Sequence, residues 1–518
     1  MTDSSLPWRE VAPFDGSPAS MREHARAIAD MVRGDSRLWL GSFARPHLLG
    51  SLASTRTERA SASDRGAESA PEQADDSCAT NPCAGCTCAK AGSVLADPDP
   101  EEFALVVPTS GSTGTPKAVA HSLQSLKASM FATARFFEGH GAWLPLLPPT
   151  HIGGVQVIAR AVLASLLLGI PDREGLPGAL GPVVDLSSSF AADTMVQQLS
   201  QWDALSASHP ELADLPLFTS LVPTQLERVV SAAEASPGDA SAHALRRFRA
   251  ILVGGASMSP QLRARAERLG ARIVATYGAS ETAGGCVYDG EPLQGVEVKV
   301  TDDGRLALTA PQVALGYVFE TGAVTHVSGN TVEDRARFFA MPSLAKTRLF
   351  VSSDMAEVRH DAATGGVRVS ILGRSDDVIV SGGRKIVPQV VEAAITGAAP
   401  GAIPDLGGQV LVVPVPDQEW GQAAIALLEG SAAPSHEEES REASPRTSDA
   451  IAAAMLAAGQ ERFMIPRRTF VVEALPVLAS GKVDRAAAAA LARTAVENAA
   501  VENAAVEIAA VENTDGVA

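Results

Sequence analysis

Apolar positions along this chain fall into short runs separated by turn-forming residues, and the spacing within each run names an element. "FALVVPTS" (103–110) is a continuous apolar run of strand length, whereas "SLQSLKASMFATARFF" (122–137) places its apolar residues at helical intervals. "AWLPLLPPTHIGGVQVIARAVLASLLLG" (142–169) reads as strand, loop and helix. The same alternation runs through "DLPLFTSLVPTQLERVVSAA" (214–233), "RAILVGGASMSPQLRARAERLG" (249–270) and "RIVATYGASETAGGCVYDG" (272–290). It predicts a mostly parallel α/β sheet with its loops at the C-terminal ends of the strands. From "RLALTA" (305–310) to "RVSILGRSDD" (368–377), short alternating strands predict a smaller β-rich subdomain. After Asp376 the pattern restarts as a compact α+β unit of roughly a hundred residues, a typical small-domain size.

Three stretches break the pattern. Residues 54–100 are rich in Ser, Ala, Glu and Asp and almost free of large apolar residues, so they cannot bury a core and read as a disordered insertion. "EGSAAPSHEEESREASPRTS" (429–448) reads as an acidic surface loop. From 494 the chain repeats "AVENA" with a period of five, which fits neither a heptad nor a solenoid unit and reads as low complexity or fraying helix.

Composition narrows the functional classes. At 518 residues the chain exceeds one ordinary core, and 46% hydrophobic residues suit a globular protein. A formal net charge of −18 argues against nucleic acid or an anionic membrane as the main partner. The longest apolar candidate, "VQVIARAVLASLLLGI", is interrupted by Arg160 and falls short of the ~20 residues of a bilayer span, so no membrane insertion is expected. "MTDSSLPWREVAPFDG" has neither a basic start nor an apolar stretch, and five cysteines are no disulfide framework. A cytoplasmic protein is expected.

The candidate chemistry begins in "VVPTSGSTGTPKAVAHS" (106–122). Gly111 and Gly114 let the backbone turn tightly, Thr109, Ser110, Ser112, Thr113 and Thr115 offer hydroxyls, and Lys117 adds a charge. Placed between a strand and a helix, such a loop would cradle phosphate. The Walker form is excluded, because position 116 is proline and Lys117 is followed by Ala118. Alone, the loop fits a plain Ser/Gly turn equally well.

It does not stand alone. "PTSGSTGTPKAVAHS" resembles the phosphate loop of the acyl-adenylate-forming enzymes, and four further stretches follow that superfamily's motifs in order. They are "TYGASETAGG" (276–285), "VSSDMAEV" (351–358), "LGRSDDVIVSGGRKIVPQVVE" (372–392) and "LPVLASGKVDR" (475–485). Two depart from the pattern: Ser280 stands for the usual threonine, and a Thr-Gly-Asp motif is reduced to Ser352-Ser353-Asp354. The resemblance implies a large N-terminal α/β domain with parallel sheets and a β-rich subdomain, plus a small mobile α+β C-terminal domain. The expected organisation is the N-terminal part of the large domain at 1–53, the cysteine-containing insertion at 54–100 and the AMP-binding large domain at 101–375. A C-terminal lid at 376–493 and the low-complexity tail at 494–518 follow.

The resemblance also implies residue roles. Ser110, Gly111, Ser112, Thr113, Gly114 and Lys117, with Thr109, would hold the phosphates of ATP, and Glu281 would bind Mg²⁺. Ser280 would meet the α-phosphate, Tyr277 would stack on adenine, and Gly255, within "GGAS" (254–257), would line the adenine and acyl pockets. Asp354 would accept from the ribose hydroxyls with Arg374 in support. Lys482 would neutralise charge between the carboxylate and the α-phosphate. Asp376 would be the hinge about which the small domain exchanges Lys482 for the loop Ser381, Gly382 and Gly383, admitting coenzyme A. Taken singly, each has a plainer reading as a solvated loop residue, turn cap or surface cation.

"SLVPTQL" (220–226), the stretch after Glu281 and the short region before the phosphate loop most resemble the o-succinylbenzoate–CoA ligases of menaquinone biosynthesis. Their acid is an aromatic keto-dicarboxylic acid. His151 would gate the acyl group, and Ser220, Thr224 and Gln225 would supply donors to the second carboxylate. The partners implied are a small carboxylic acid, ATP and CoA; assembly into a homo-oligomer stays open. Other aryl- or acyl-acid CoA ligases, stand-alone adenylation enzymes and a degenerate adenylate-binding paralogue remain as alternatives. Only the repeat tail follows Lys482, which weighs against an integrated peptide-synthetase module.

Cys78, Cys83, Cys86 and Cys88 form C-x4-C-x2-C-x-C, whose first three share a plant-type ferredoxin spacing while the fourth lies too close. Incidental thiols in the insertion are expected rather than a metal centre. Cys286 lies apart and is expected to pack.

Overall fold

The computed structural model describes residues 6–40, 103–109, 117–187, 190–236, 240–321, 324–327, 338–340, 347–361, 365–399, 401–430, 440–477 and 483–515. The cysteine cluster and the insertion lie outside them.

The continuous apolar runs become the parallel heart of the molecule. Strands Ala142–Leu144, Leu217–Leu221, Ala250–Val253 and Ile273–Ala279 pair in parallel and in that order. Gly284–Tyr288 and Glu291–Pro292 then extend the sheet antiparallel. Leu217–Leu221 and Ala250–Val253 are buried throughout, as a sheet covered on both faces requires. The helix Ile152–Leu168 is buried along most of its length, and the helices Pro223–Ala235 and Pro260–Arg268 follow the next strands. The strand–loop–helix alternation is therefore as expected here. The loops carrying His151, Thr224, Gly255 and Ser280 all leave the C-terminal ends of these parallel strands, where open α/β sheets place their ligands.

Parallel pairing does not extend to the whole fold. In a second sheet, Trp8–Glu10, Arg37–Trp39 and Leu105–Pro108 are parallel, but Lys117–His121, Gly316–Thr321 and Val324–Val327 continue antiparallel. A third sheet, containing Glu297–Val300, Arg305–Ala310, Phe338–Ala340, Arg348–His360 and Val367–Arg374, is wholly antiparallel. This is the short-strand region that the alternating pattern predicted.

The fourth sheet is built from residues 379–472, with one parallel pairing, Gly421–Gly430 on Arg468–Val472. The helices Pro388–Thr396, Pro445–Ala457 and Arg485–Asp515 accompany it. Its two apolar clusters draw only on residues from Ile379 onward, whereas the other clusters end at Val369. Across the gap, the Gln261 side-chain amide donates to the Thr396 carbonyl.

One sequence expectation needs correcting. The Ser/Thr/Gly loop does not run from strand to helix: it joins the antiparallel strands Leu105–Pro108 and Lys117–His121, in register Leu105↔His121 and Pro108↔Ala118. Ala118, Val119 and Ala120 are fully buried, so the segment after Lys117 is a central strand, and the helix Leu123–Phe136 starts only beyond it. Among the described residues, no helix N-terminus directly follows the loop. The tail from 494, read as low complexity or fraying helix, is helical through Asp515. The helix Arg485–Asp515 runs through 494 and packs Ala488, Ala492, Ala495 and Ala499 at intervals of four, three and four onto the fourth sheet. This stripe of alanines starts before the five-residue repeat and continues into it.

Candidate active site

Ser280 and Glu281 sit in a one-turn 3-10 helix, Ser280–Thr282, between strands Ile273–Ala279 and Gly284–Tyr288. The two strands cross so closely that a Cβ on Gly278 would lie 2.1 Å from the Gly284 carbonyl oxygen, so only glycine fits there. The chain reverses through Ala283 in the left-handed region, φ 51°, a conformation that surrounding bonds must hold for a residue with a side chain.

Those bonds come from several directions. The Thr282 hydroxyl accepts from the Ala279 N–H (2.9 Å) and donates to the Gly284 carbonyl (2.8 Å). The Ala314 N–H donates to the Glu281 carbonyl at 2.8 Å. The Ser129 hydroxyl donates to the Ala283 carbonyl at 3.0 Å, and His121 Nε2 lies 2.7 Å from the Ser280 carbonyl. The Glu281 side chain is also fixed: the buried Tyr317 hydroxyl donates to its Oε1 at 2.5 Å. A half-buried carboxylate with one oxygen held suits Mg²⁺, a hard ion that takes oxygen ligands and commonly one or two carboxylates plus substrate phosphates.

His121 is fully buried, and desolvation pushes its imidazole down to about 4, so it is neutral at physiological pH. A carbonyl only accepts, so Nε2 carries the proton and Nδ1 is the bare nitrogen, 3.3 Å from the Ser125 hydroxyl. Cys286 is also buried, with its thiol pushed up to about 12 by desolvation; it packs rather than reacts, as expected.

Tyr277 and Asp354 meet directly. The Tyr277 hydroxyl donates to Asp354 Oδ2 at 2.6 Å, and burial, with the Asp354 charge, holds the phenol protonated well above its ordinary range. The Ser352 hydroxyl donates to the same oxygen (2.9 Å) and accepts from the Asp354 N–H (2.8 Å). The reduced motif therefore keeps its aspartate oriented, because Ser352 forms a closed local turn around it. Arg374 is the cross-strand neighbour of Asp354 and reaches Asp376 Oδ2 at 2.7 Å. Asp376 lies in the turn Ser375–Asp377, between the last strand of the third sheet and the first of the fourth.

Ser381, Gly382 and Gly383 lie in a tight hairpin between Ile379–Ser381 and Arg384–Ile386. Both glycines have positive φ, 56° and 76°, the hairpin geometry whose twist matches the strands. The Gly382 N–H donates to the Trp420 carbonyl, and a Cβ at Gly382 would fall 2.3 Å from the Trp420 ring. Trp420 is 37% exposed, with the Arg467 guanidinium 4.6 Å from its ring centroid.

His151 is the exposed N-cap residue of Ile152–Leu168, its Nδ1 3.2 Å from the Thr150 hydroxyl. Ser220 is buried in its strand, and Thr224 is exposed on the first turn of the following helix. Gln225 is engaged locally, with Oε1 accepting from the Val222 N–H (3.0 Å) and Nε2 donating to the Leu146 carbonyl (3.2 Å), and so ties two strand-end loops together. Thr109 follows the strand Leu105–Pro108, and Gly255 follows Ala250–Val253 with φ 81°. Ser110 to Gly114 and Lys482 lie outside the described residues, as does the side chain of Lys117.

Sequence reasoning missed two buried polar residues of the helix Ile152–Leu168. Arg160 is 6% exposed, and its polar partner among the described residues is the Tyr288 hydroxyl at 3.3 Å, with the Trp143 ring 4.9 Å beneath it. Its Nε is unpaired, as are both amide atoms of Gln156, one helical turn before it and 1% exposed. Gln156 packs against Gly284, three residues beyond Glu281. In the sequence Arg160 stands out only as an interruption of an apolar run. A charge inside an otherwise apolar helix is the signal that could have found it.

The profile of one protein family, described as AMP-binding enzyme, matches residues 45–323. A probable 2-succinylbenzoate–CoA ligase of Mycobacterium tuberculosis (strain H37Rv) is 33% identical over 389 residues, covering 75% of this chain and 84% of that protein. The 2-succinylbenzoate–CoA ligase of Escherichia coli (strain K12) is 27% identical over 341 residues, covering 64% and 59%. Among solved structures, o-succinylbenzoate CoA synthetase (MenE) from Bacillus subtilis, in complex with the acyl-adenylate intermediate OSB-AMP, aligns with TM-score 0.51 at 19% identity over 92% of this chain and 82% of that one. ATP-bound MatB from Rhodopseudomonas palustris gives 0.53 at 19% over 76% and 68%. At these identities the two structures speak for the fold.

Proposed function

The chain belongs to the AMP-binding enzyme family, and from that premise we propose that it joins o-succinylbenzoate to coenzyme A at the expense of ATP, through an acyl-adenylate. As an AMP-forming acid–CoA ligase it must bring a carboxylate against the α-phosphate, two anions that repel. The site has to gather cations and release pyrophosphate. Lys117 and the loop hydroxyls from Ser110 to Thr113 are suited to the β- and γ-phosphates, and Ser280 to the α-phosphate. Glu281 would hold Mg²⁺, which supplies charge neutralisation on the phosphates. Asp354, with Oδ2 engaged by Tyr277 and Ser352, has Oδ1 for the ribose hydroxyls. Lys482 would neutralise the carboxylate–phosphate contact. The Ser381–Gly383 hairpin, with the aromatic face of Trp420 and the charge of Arg467 beside it, suits the nucleotide end of CoA.

The 33% identity to a probable 2-succinylbenzoate–CoA ligase over three quarters of the chain carries the substrate class. Gln225 is engaged by the Val222 N–H and the Leu146 carbonyl, whereas Gln156, against the stretch after Glu281, offers an unpaired amide for the second carboxylate. Pyrophosphate release with ATP and Mg²⁺ over a panel of acids, with and without CoA, tests the reading. o-Succinylbenzoate should give the highest kcat/KM, above that of its monocarboxylic analogue. A preference for a fatty, simple aryl or amino acid overturns the assignment.

A further inference from the structure

The helix Leu123–Phe136 carries three buried hydroxyls at intervals of four residues: Ser125, Ser129 and Thr133, which are 2%, 0% and 1% exposed. They form one stripe along the helix. Ser129 and Thr133 reach the segment that follows Glu281, and Ser125 reaches His121. Ser125 lies 3.3 Å from His121 Nδ1, and His121 passes the contact to the Ser280 carbonyl. Ser129 donates to the Ala283 carbonyl, and Thr133 lies 3.0 Å from the Tyr288 hydroxyl. These contacts join residues 154 to 159 positions apart in the chain.

A hydroxyl stripe on a buried helix face is costly unless each group is satisfied; Ser125 also donates to the Ser122 carbonyl and Thr133 to the Ser129 carbonyl, while Ser129 donates directly to the 280–283 turn. The core does not need it, since alanine or valine would fill the space. The turn does need it: Ala283 holds a left-handed φ, and the two side chains that must face the phosphates hang from the residues just before it. His121 terminates the strand that leaves the phosphate loop. One imidazole therefore locks the strand after the loop to the turn bearing Ser280 and Glu281.

The geometry points to His121 and Ser129 as positioning residues for Mg²⁺·ATP: the two side chains fix the 280–283 turn so that Ser280 and Glu281 meet the nucleotide. This rests on the assignment of Ser280 and Glu281 under the proposed function. The test compares the full-length protein with His121→Leu, His121→Gln and Ser129→Ala. ATP binding is measured by calorimetry with and without Mg²⁺, pyrophosphate release and thiolation from preformed acyl-adenylate are followed, and melting temperatures are recorded. His121→Leu should weaken Mg²⁺·ATP by about 10- to 100-fold, as loss of a supporting partner does, while metal-free ATP and thiolation change by less than about threefold. His121→Gln, whose amide N–H can replace Nε2–H, should recover most of the loss, and Ser129→Ala keeps the test open should His121→Leu not fold. Equal loss in both half-reactions, or a lowered melting temperature with unchanged Mg²⁺·ATP affinity, overturns the inference. Glu281→Gln separates the two levels: if it leaves the Mg²⁺ dependence unchanged, the site assignment itself falls, and if it alone is impaired, only the positioning role falls.

Discussion

Two turns in this molecule have opposite construction. The turn at 279–284 is fastened by His121, Ser129, Ala314 and Tyr317, from separate elements, through buried bonds. The turn Ser375–Asp377 contains no buried residue, and its link to the preceding strand is the Arg374–Asp376 ion pair, whose side chains are 45% and 53% exposed. A surface pair of this kind contributes about 0–1 kcal/mol, and salt screens it. The first turn must hold charge still against phosphate. The second lies between two sets of apolar clusters, the place proposed for a hinge, and such a pair resists rotation only weakly. Stiffness and freedom are assigned by burial.

The sharpest challenge to that contrast is Glu281→Gln. Pyrophosphate release should fall on the order of 10²- to 10³-fold, the loss typical of removing a preorganised charge-stabilising group, with the melting temperature little changed. A mild effect would mean the braced turn does not serve the phosphates.

Acid stability tests the brace itself. The His121 pKa is about 4 folded against an ordinary 6.5, so below pH 6.5 the unfolded state takes up a proton that the folded state refuses. Its contribution is fully present above pH 6.5 and is lost as pH falls toward 4, amounting to about 3 kcal/mol at most for this shift. Denaturant unfolding of wild type against His121→Gln across that window should show a gap that closes steadily on acidification; a constant gap would mean His121 does not titrate as a buried group.

Ser129→Ala should cost roughly 1–3 kcal/mol, because the buried Ala283 carbonyl loses its donor. At the other turn, Asp376→Ala should change stability by less than about 1 kcal/mol, and the change should vanish in high salt. A large, salt-insensitive loss at Asp376 would erase the contrast between the two turns.

Much of this architecture is legible in the sequence. Runs such as "RAILVGG" and "DLPLFTSL" carry the parallel strands, because a strand buried on both faces must be apolar continuously. The ordered motifs lead to the family, and the family profile matches. The errors have local causes. "KAVAH" reads as part of a loop entering a helix, because five residues are too short to announce a strand without their partner, here Gly316–Phe319. Gln225 looks like a free donor because nothing nearby in sequence reveals the Leu146 carbonyl.

By itself the sequence determined the order of elements, the positions of the strand-end loops and the residue types delivered to them, since periodicity and motif spacing are properties of neighbouring residues. Tertiary structure alone decided that His121 meets Ser280, that Ser129 holds Ala283 and that Tyr277 reaches Asp354. It also decided that Arg160 is buried with no carboxylate partner among the described residues. These pairings join positions far apart in the chain, and only the packing of sheet and helix brings their donors and acceptors within bonding distance.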